Sequence, residues 1–132
     1  MKLYMVEPTV SDLPRSIAWY SDVLGLTLTL LDETNGFALL EGNAGRISLK
    51  RGTPVIGGVR MHFEVGDLDA ELGRIAAFGV LPVSAIKSSN EGYRRAVLHD
   101  PDGYVIALFE WLHPAPPLRF GKGIPTVFGI DC

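Results

Sequence analysis

Arg60, His62 and Glu64 alternate along a short run of the chain. A β-strand turns alternate side chains to one face, so these three polar groups would stand in a row. Arg60 presents a planar fork of donors suited to a carboxylate or phosphate. His62 titrates near neutral pH and is a candidate general base; the plainer reading is a hydrogen-bonding wall residue. Glu7 stands at a position equivalent to His62, 55 residues earlier. Glu7, His62 and Glu64 together would make a three-ligand site for a divalent ion. The alternatives are a polar strand pair lining a wet pocket, or Arg60 ion-paired with Glu7 or Glu64. Further along, Phe109 and Trp111 share a strand face and could stack on a flat or apolar ligand, or pack in a core or dimer contact. His99, beside a turn, and His113, in the tail, read as surface groups. Cys132 is the only cysteine, so no internal disulfide is possible, and no histidine near it in sequence supports a nucleophile.

The elements that would position these residues come in two copies. Thr9-Val10-Ser11-Asp12-Leu13 resembles Glu64-Val65-Gly66-Asp67-Leu68. The same offset of 55 carries Leu13, Ile17 and Tyr20 onto Leu68, Leu72 and Ile75, each set spaced as one face of a helix. Asp12 and Asp67 precede these helices as N-caps, Pro14 falls in a first turn where its missing N–H costs nothing, and Gly25 and Gly79 end them. Before each helix lies a strand. Met61, Phe63 and Val65 should face the second helix; Val6, Pro8 and Val10 should face the first, with Met5, Glu7 and Thr9 opposite. Three further strands are expected after each helix: Leu26–Leu31, Phe37–Glu41 and Arg46–Lys50, then Leu81–Ile86, Arg94–His99 and Tyr104–Trp111. Asp100-Pro101-Asp102-Gly103 reads as a hairpin turn.

The expected fold class is therefore α+β: two tandem β-α-β-β-β modules forming a cup-shaped mixed sheet with helices on the outer face. One domain spans 1–111, with module one at 1–52, a linker at 53–58 and module two at 59–111. Residues 112–132, rich in proline and glycine, form an extended arm with one short strand near Thr126–Ile130. A chain of 132 residues can bury a core of its own. Its net charge of −3 gives no footprint for nucleic acid or an anionic membrane. No apolar run is long enough to cross a bilayer and the N-terminus does not read as a signal peptide, so a cytoplasmic location is expected.

The run from Val10 to Leu26, VSDLPRSIAWYSDVLGL, resembles the opening of the vicinal oxygen chelate superfamily, and His99-Asp100-Pro101-Asp102-Gly103-Tyr104 resembles its last hairpin. That group includes glyoxalase I, bleomycin-resistance proteins, fosfomycin-resistance enzymes and extradiol dioxygenases. The resemblance implies two modules whose sheets close into a cup. In metal-dependent members, four cup-facing positions, one in the first and one in the last strand of each module, hold a divalent ion that acts as a Lewis acid. Carried over, those positions are Met5, Ser48, Arg60 and Ala107. A thioether and a hydroxyl are poor ligands for hard ions, a guanidinium repels them, and alanine has no donor. The resemblance therefore implies a metal-independent protein, without a cofactor, that binds a small organic molecule through Met5, Glu7, Ser48, Arg60, His62, Glu64, Ala107, Phe109 and Trp111. It also implies a homodimer. Two alternatives stay open: a lyase, isomerase or dioxygenase using a displaced divalent metal or His62 as base, and an interaction module whose cup is mainly a dimer interface.

Overall fold

The computed structural model describes residues 1–112. The expected arm therefore lies outside the described residues, apart from an exposed Leu112, as do His113 and Cys132.

Helix α1, Leu13–Asp22, begins where expected. The Arg15 amide donates to the Asp12 carboxylate at 3.1 Å, and Pro14 sits in the first turn. Helix α2, Leu68–Ala76, repeats the device, with the Ala70 amide donating to Asp67 at 3.0 Å. Both helices are followed by glycines in the left-handed region, Gly25 at φ +72° and Gly79 at φ +78°, as a reversal of the chain requires.

The strands are β1 Thr9–Val10, β2 Thr27–Asp32, β3 Phe37–Glu41, β4 Arg46–Arg51, β5 Arg60–Glu64, β6 Lys87–Ser88, β7 Tyr93–His99 and β8 Val105–Trp111. They form two four-stranded mixed sheets, ordered β1-β4-β3-β2 and β5-β8-β7-β6, in which only the β1–β4 and β5–β8 pairings are parallel. The two tandem modules are thus β-α-β-β-β in order, as the repeat implies. Two strands differ from expectation. The first is shortened to Thr9–Val10 with an isolated bridge from Val6 to Ile47, because Pro8 between them has no N–H to give the ladder. The run Leu81–Ile86 is not a strand: beside Pro82, the Val83 amide makes one bond to the Val97 carbonyl at 2.9 Å, and pairing starts only at Lys87.

The helix triplets pack as their spacing dictates. Leu13 and Tyr20 of α1 are buried against Ala38, Leu40, Ile47 and Leu49; Leu68 and Ile75 of α2 join Met61, Ala96, Leu98, Ile106 and Leu108. Ile17 and Leu72 close the faces from partly buried positions. Each such aliphatic side chain contributes roughly 1.5–3 kcal/mol by leaving water.

The modules are joined on one side by a dense polar clamp. The turn between β7 and β8 reaches α1, where the Tyr20 hydroxyl donates to Asp100 Oδ2 at 2.7 Å. Asp100 Oδ1 accepts the amides of Asp102, Gly103 and Tyr104 at 2.9, 2.9 and 2.8 Å, which holds the turn in shape. Ser11 donates through its amide and hydroxyl to Asp102, and Arg15 to the Pro101 carbonyl. Tyr104 donates its hydroxyl to the Thr9 carbonyl at 2.7 Å and accepts the Val55 amide at 3.0 Å. Tyr20 and Tyr104 are almost wholly buried. Burial, followed by the Asp100 carboxylate, pushes the Tyr20 phenol far above its ordinary pKa, so it stays a donor.

Candidate functional site

Strand registry places the candidate residues on faces. In the second sheet, Arg60 is opposite Val105, His62 opposite Ala107 and Glu64 opposite Phe109; across the hairpin, Phe109 is opposite Arg95 and Trp111 opposite Tyr93. Directly paired residues share a face, so Arg60, His62, Glu64, Ala107, Phe109 and Trp111 stand together on the face opposite α2. The sequence offered no face for Tyr93, Arg94 or Arg95. Registry puts Tyr93 and Arg95 in this group, while Arg94 lies on the helix side and grips Asp69 with both terminal nitrogens at 3.2 and 3.1 Å. Counting alternation back from the Asp100–Gly103 turn would have found Arg95.

Three rings make the wall of this face. Phe109 lies 5.5 Å from Trp111 and 6.4 Å from Tyr93, and Tyr93 lies 6.1 Å from Trp111, all edge to face. Such edge contacts direct the positive rim of one ring at the negative face of the next. The Trp111 indole donates to Glu64 at 3.3 Å, which orients that carboxylate beside the rings. Burial, with the charges of Arg95 and Arg60, lowers the pKa of His62 below its ordinary value of 6.5. At neutral pH the ring is therefore an uncharged imidazole flanked by two cations.

On the first sheet, Ser48 is opposite Leu39, and its fully buried hydroxyl donates to Glu7 Oε2 at 2.5 Å. Met5 is half-buried. The four positions where the resemblance implies a metal thus carry a thioether, a hydroxyl already engaged by Glu7, a guanidinium and a methyl group. They do not fit a divalent ion. Among the described residues, no three side chains of His, Cys, Asp or Glu are gathered closely enough to hold one, so Glu7, His62 and Glu64 do not form a displaced site.

A cavity of about 820 Å³ lies between the modules, along the open edge of β5. It takes in Arg60, His62 and Glu64, while Met5, Glu7, Ser48, Ala107, Phe109 and Trp111 do not line it. Its apolar wall includes Leu26, Met61, Phe63, Val65 and Ile75. The Val65 amide donates to the Phe109 carbonyl of β8 at 2.9 Å. Consecutive residues of a parallel strand direct their backbone groups to opposite sides, so those of His62 and Glu64 are turned toward the cavity. At its floor Arg74 donates to the Asp22 and Val23 carbonyls at the end of α1, at 3.1 and 2.6 Å, and to Glu71 at 2.8 Å. Sequence reasoning missed this cavity, because its walls come from both modules.

A two-module α+β chain of this kind defines a class of proteins built on paired β-α-β-β-β units. Residues 5–109 match the model of the glyoxalase-like domain, and the chain belongs to that family. Among solved structures it resembles a glyoxalase/bleomycin resistance protein/dioxygenase from Nocardioides, 22% identical with a TM-score of 0.73, covering 92% of this chain and 90% of that one. It also resembles TioX from Micromonospora sp. ML1, 22% identical with a TM-score of 0.71, covering 85% and 100%. TnmS3, an antibiotic binding protein from Streptomyces sp. CB03234, is 24% identical with a TM-score of 0.72, covering 84% and 96%. A search of curated proteins found no match. No helix among the described residues is long and apolar enough to cross a membrane.

Proposed function

We propose that the chain is a cytoplasmic, metal-independent small-molecule binding protein of the bleomycin-resistance kind, acting by holding its ligand. The observation that carries this reading is the helix-free face of the second sheet. A three-ring aromatic wall stands there beside Arg60, Arg95 and His62, and the positions the family uses for metal carry groups unsuited to it. Trp111, the partly exposed ring, backed by the buried Tyr93 and Phe109, suits a flat or apolar body, and the guanidinium groups suit an anionic substituent. Met5, Glu7, Ser48, Ala107 and Glu64 complete the surface in this reading. The kinship with TnmS3, described as an antibiotic binding protein, supports it.

Elemental mass spectrometry on protein purified without chelator or affinity nickel, with a thermal-shift scan against Zn, Ni, Mn, Fe and Co, tests it. Absence of metal and of any shift is expected. One ion per chain with a shift lost in His62→Ala would sink the reading.

One observation favours an enzyme instead. His62 is held neutral beside two cations, the state a general base needs. A turnover whose pH profile vanishes in His62→Ala would establish that alternative. A homodimer belongs to the proposal as well, supported by the exposed Leu28, Leu30 and Leu31 on edge strand β2. Light scattering should give twice 14.3 kDa.

A further inference from the structure

The cavity between the modules is the repeat-equivalent of the clamp at α1. The offset that aligns the modules carries Ser11 onto Gly66, Arg15 onto Ala70 and Tyr20 onto Ile75. The connection Asp100–Tyr104 between β7 and β8 corresponds to the connection Gly42–Gly45 between β3 and β4, which is one residue shorter, and the residue before β8, Tyr104, corresponds to the residue before β4, Gly45. On the clamped side the space between module edges is filled by two phenol rings, Tyr20 and Tyr104. On the other side those rings are an isoleucine and a hydrogen atom, and a cavity of about 820 Å³ stands there instead. Ligand pockets span roughly 300–1,000 Å³, so the space suits a drug-sized molecule.

The filled side also states the chemistry. The Tyr104 hydroxyl donates to the carbonyl of Thr9, a β1 backbone group turned away from β4. Glu64 is the equivalent residue of β5, and its carbonyl is turned toward the cavity. Ile75, Met61, Phe63 and Val65 supply the apolar wall.

We propose that this cavity is a binding site for a hydroxylated aromatic small molecule, whose ring lies where Tyr104 lies on the clamped side and whose hydroxyl donates to the Glu64 carbonyl. The site meets the surface of the aromatic wall at Arg60, His62 and Glu64, but Phe109 and Trp111 do not line it, and it does not depend on the function proposed for that wall.

The test uses 2-naphthol as probe and 2-methoxynaphthalene as the analogue lacking the donor. Both are titrated by amide NMR into the full chain and into Gly45→Tyr. A Cβ at Gly45 meets nothing within 4 Å, and neither does one at Gly66, so Gly66→Leu is a second blocking variant should Gly45→Tyr fail to fold. With 2-naphthol, shifts are expected at Met61–Val65, Ile75 and Gly42–Arg46. Affinity should fall about tenfold or more in a folded blocking variant and about fivefold or more for the methyl ether. No shift at these amides up to about 1 mM, or binding unchanged in the blocked cavity, overturns the proposal. Shifts confined to Phe109–Trp111 overturn it too, while leaving the function proposed for the aromatic wall intact.

Discussion

The two junctions between the modules are built from equivalent pieces and end differently. At the α1 junction, a turn with two aspartates meets Ser11, Arg15, Tyr20 and Tyr104, and the edges are locked. At the α2 junction, the turn Gly42-Asn43-Ala44-Gly45 carries no carboxylate, and Gly66, Ala70 and Ile75 stand at the positions equivalent to Ser11, Arg15 and Tyr20. Arg46, the first residue of β4, turns aside to Glu41 at 3.1 Å and lies over the Tyr4 ring at 4.4 Å. One junction stabilises the fold, and the other leaves room. A repeat can divide labour in this way because losing a few side chains from one copy removes its local lock without disturbing the shared core.

Breaking the locked junction should have the largest effect. Asp100→Ala leaves the Asp102 and Tyr104 amides and the buried Tyr20 hydroxyl without their acceptor, while the Gly103 amide keeps the backbone carbonyl of residue 100, and about 3 kcal/mol of stability should be lost in urea unfolding. A loss under about 1 kcal/mol would show that the turn holds itself. Tyr104→Phe keeps the ring and removes two hydrogen bonds, so a loss of about 1–2 kcal/mol is expected by the same measurement. Arg74→Ala removes the donors to the end of α1 at the open junction. About 1 kcal/mol is expected there, and an equal or larger loss than for Asp100→Ala would reverse the comparison.

The smallest effect concerns His62. Its folded pKa is depressed, so below its ordinary value of 6.5 the unfolded chain binds more protons than the folded one. Stability should be fully present above that value and decline as pH falls below it, until the folded ring itself takes a proton. The drop in melting temperature from pH 7 to pH 5.5 should be smaller in His62→Gln than in the parent chain. An identical drop would show that neither burial nor the charges of Arg95 and Arg60 depress the ring.

Much of the frame was legible in residues. Asp12 and Asp67 cap helices because a carboxylate three residues before an orphan amide can act within one turn. Leu13, Ile17 and Tyr20 reach the core because helical period is local geometry. The grouping of Arg60 with His62 and Glu64, and of Ala107 with Phe109 and Trp111, followed from strand alternation; that the two groups share a face rests on the registry of β5 with β8. Where local signals were mixed, reading stopped short: Pro8 split one strand and Pro82 left another unformed. Arg95 belongs with Phe109 by alternation counted back from the Asp100–Gly103 turn, whose length sets the registry of the hairpin.

The repeat and the helices with their caps and buried faces could be read from the chain alone. These depend on residue type and on spacing along one segment. Tertiary structure alone decided that Ser48 engages Glu7, that Arg95 joins Arg60 around His62, and that one junction is locked while its equivalent is open. Those relations join groups from 33 to 95 residues apart in the chain. Their distances are set by how sheets and helices pack, and no local pattern encodes that.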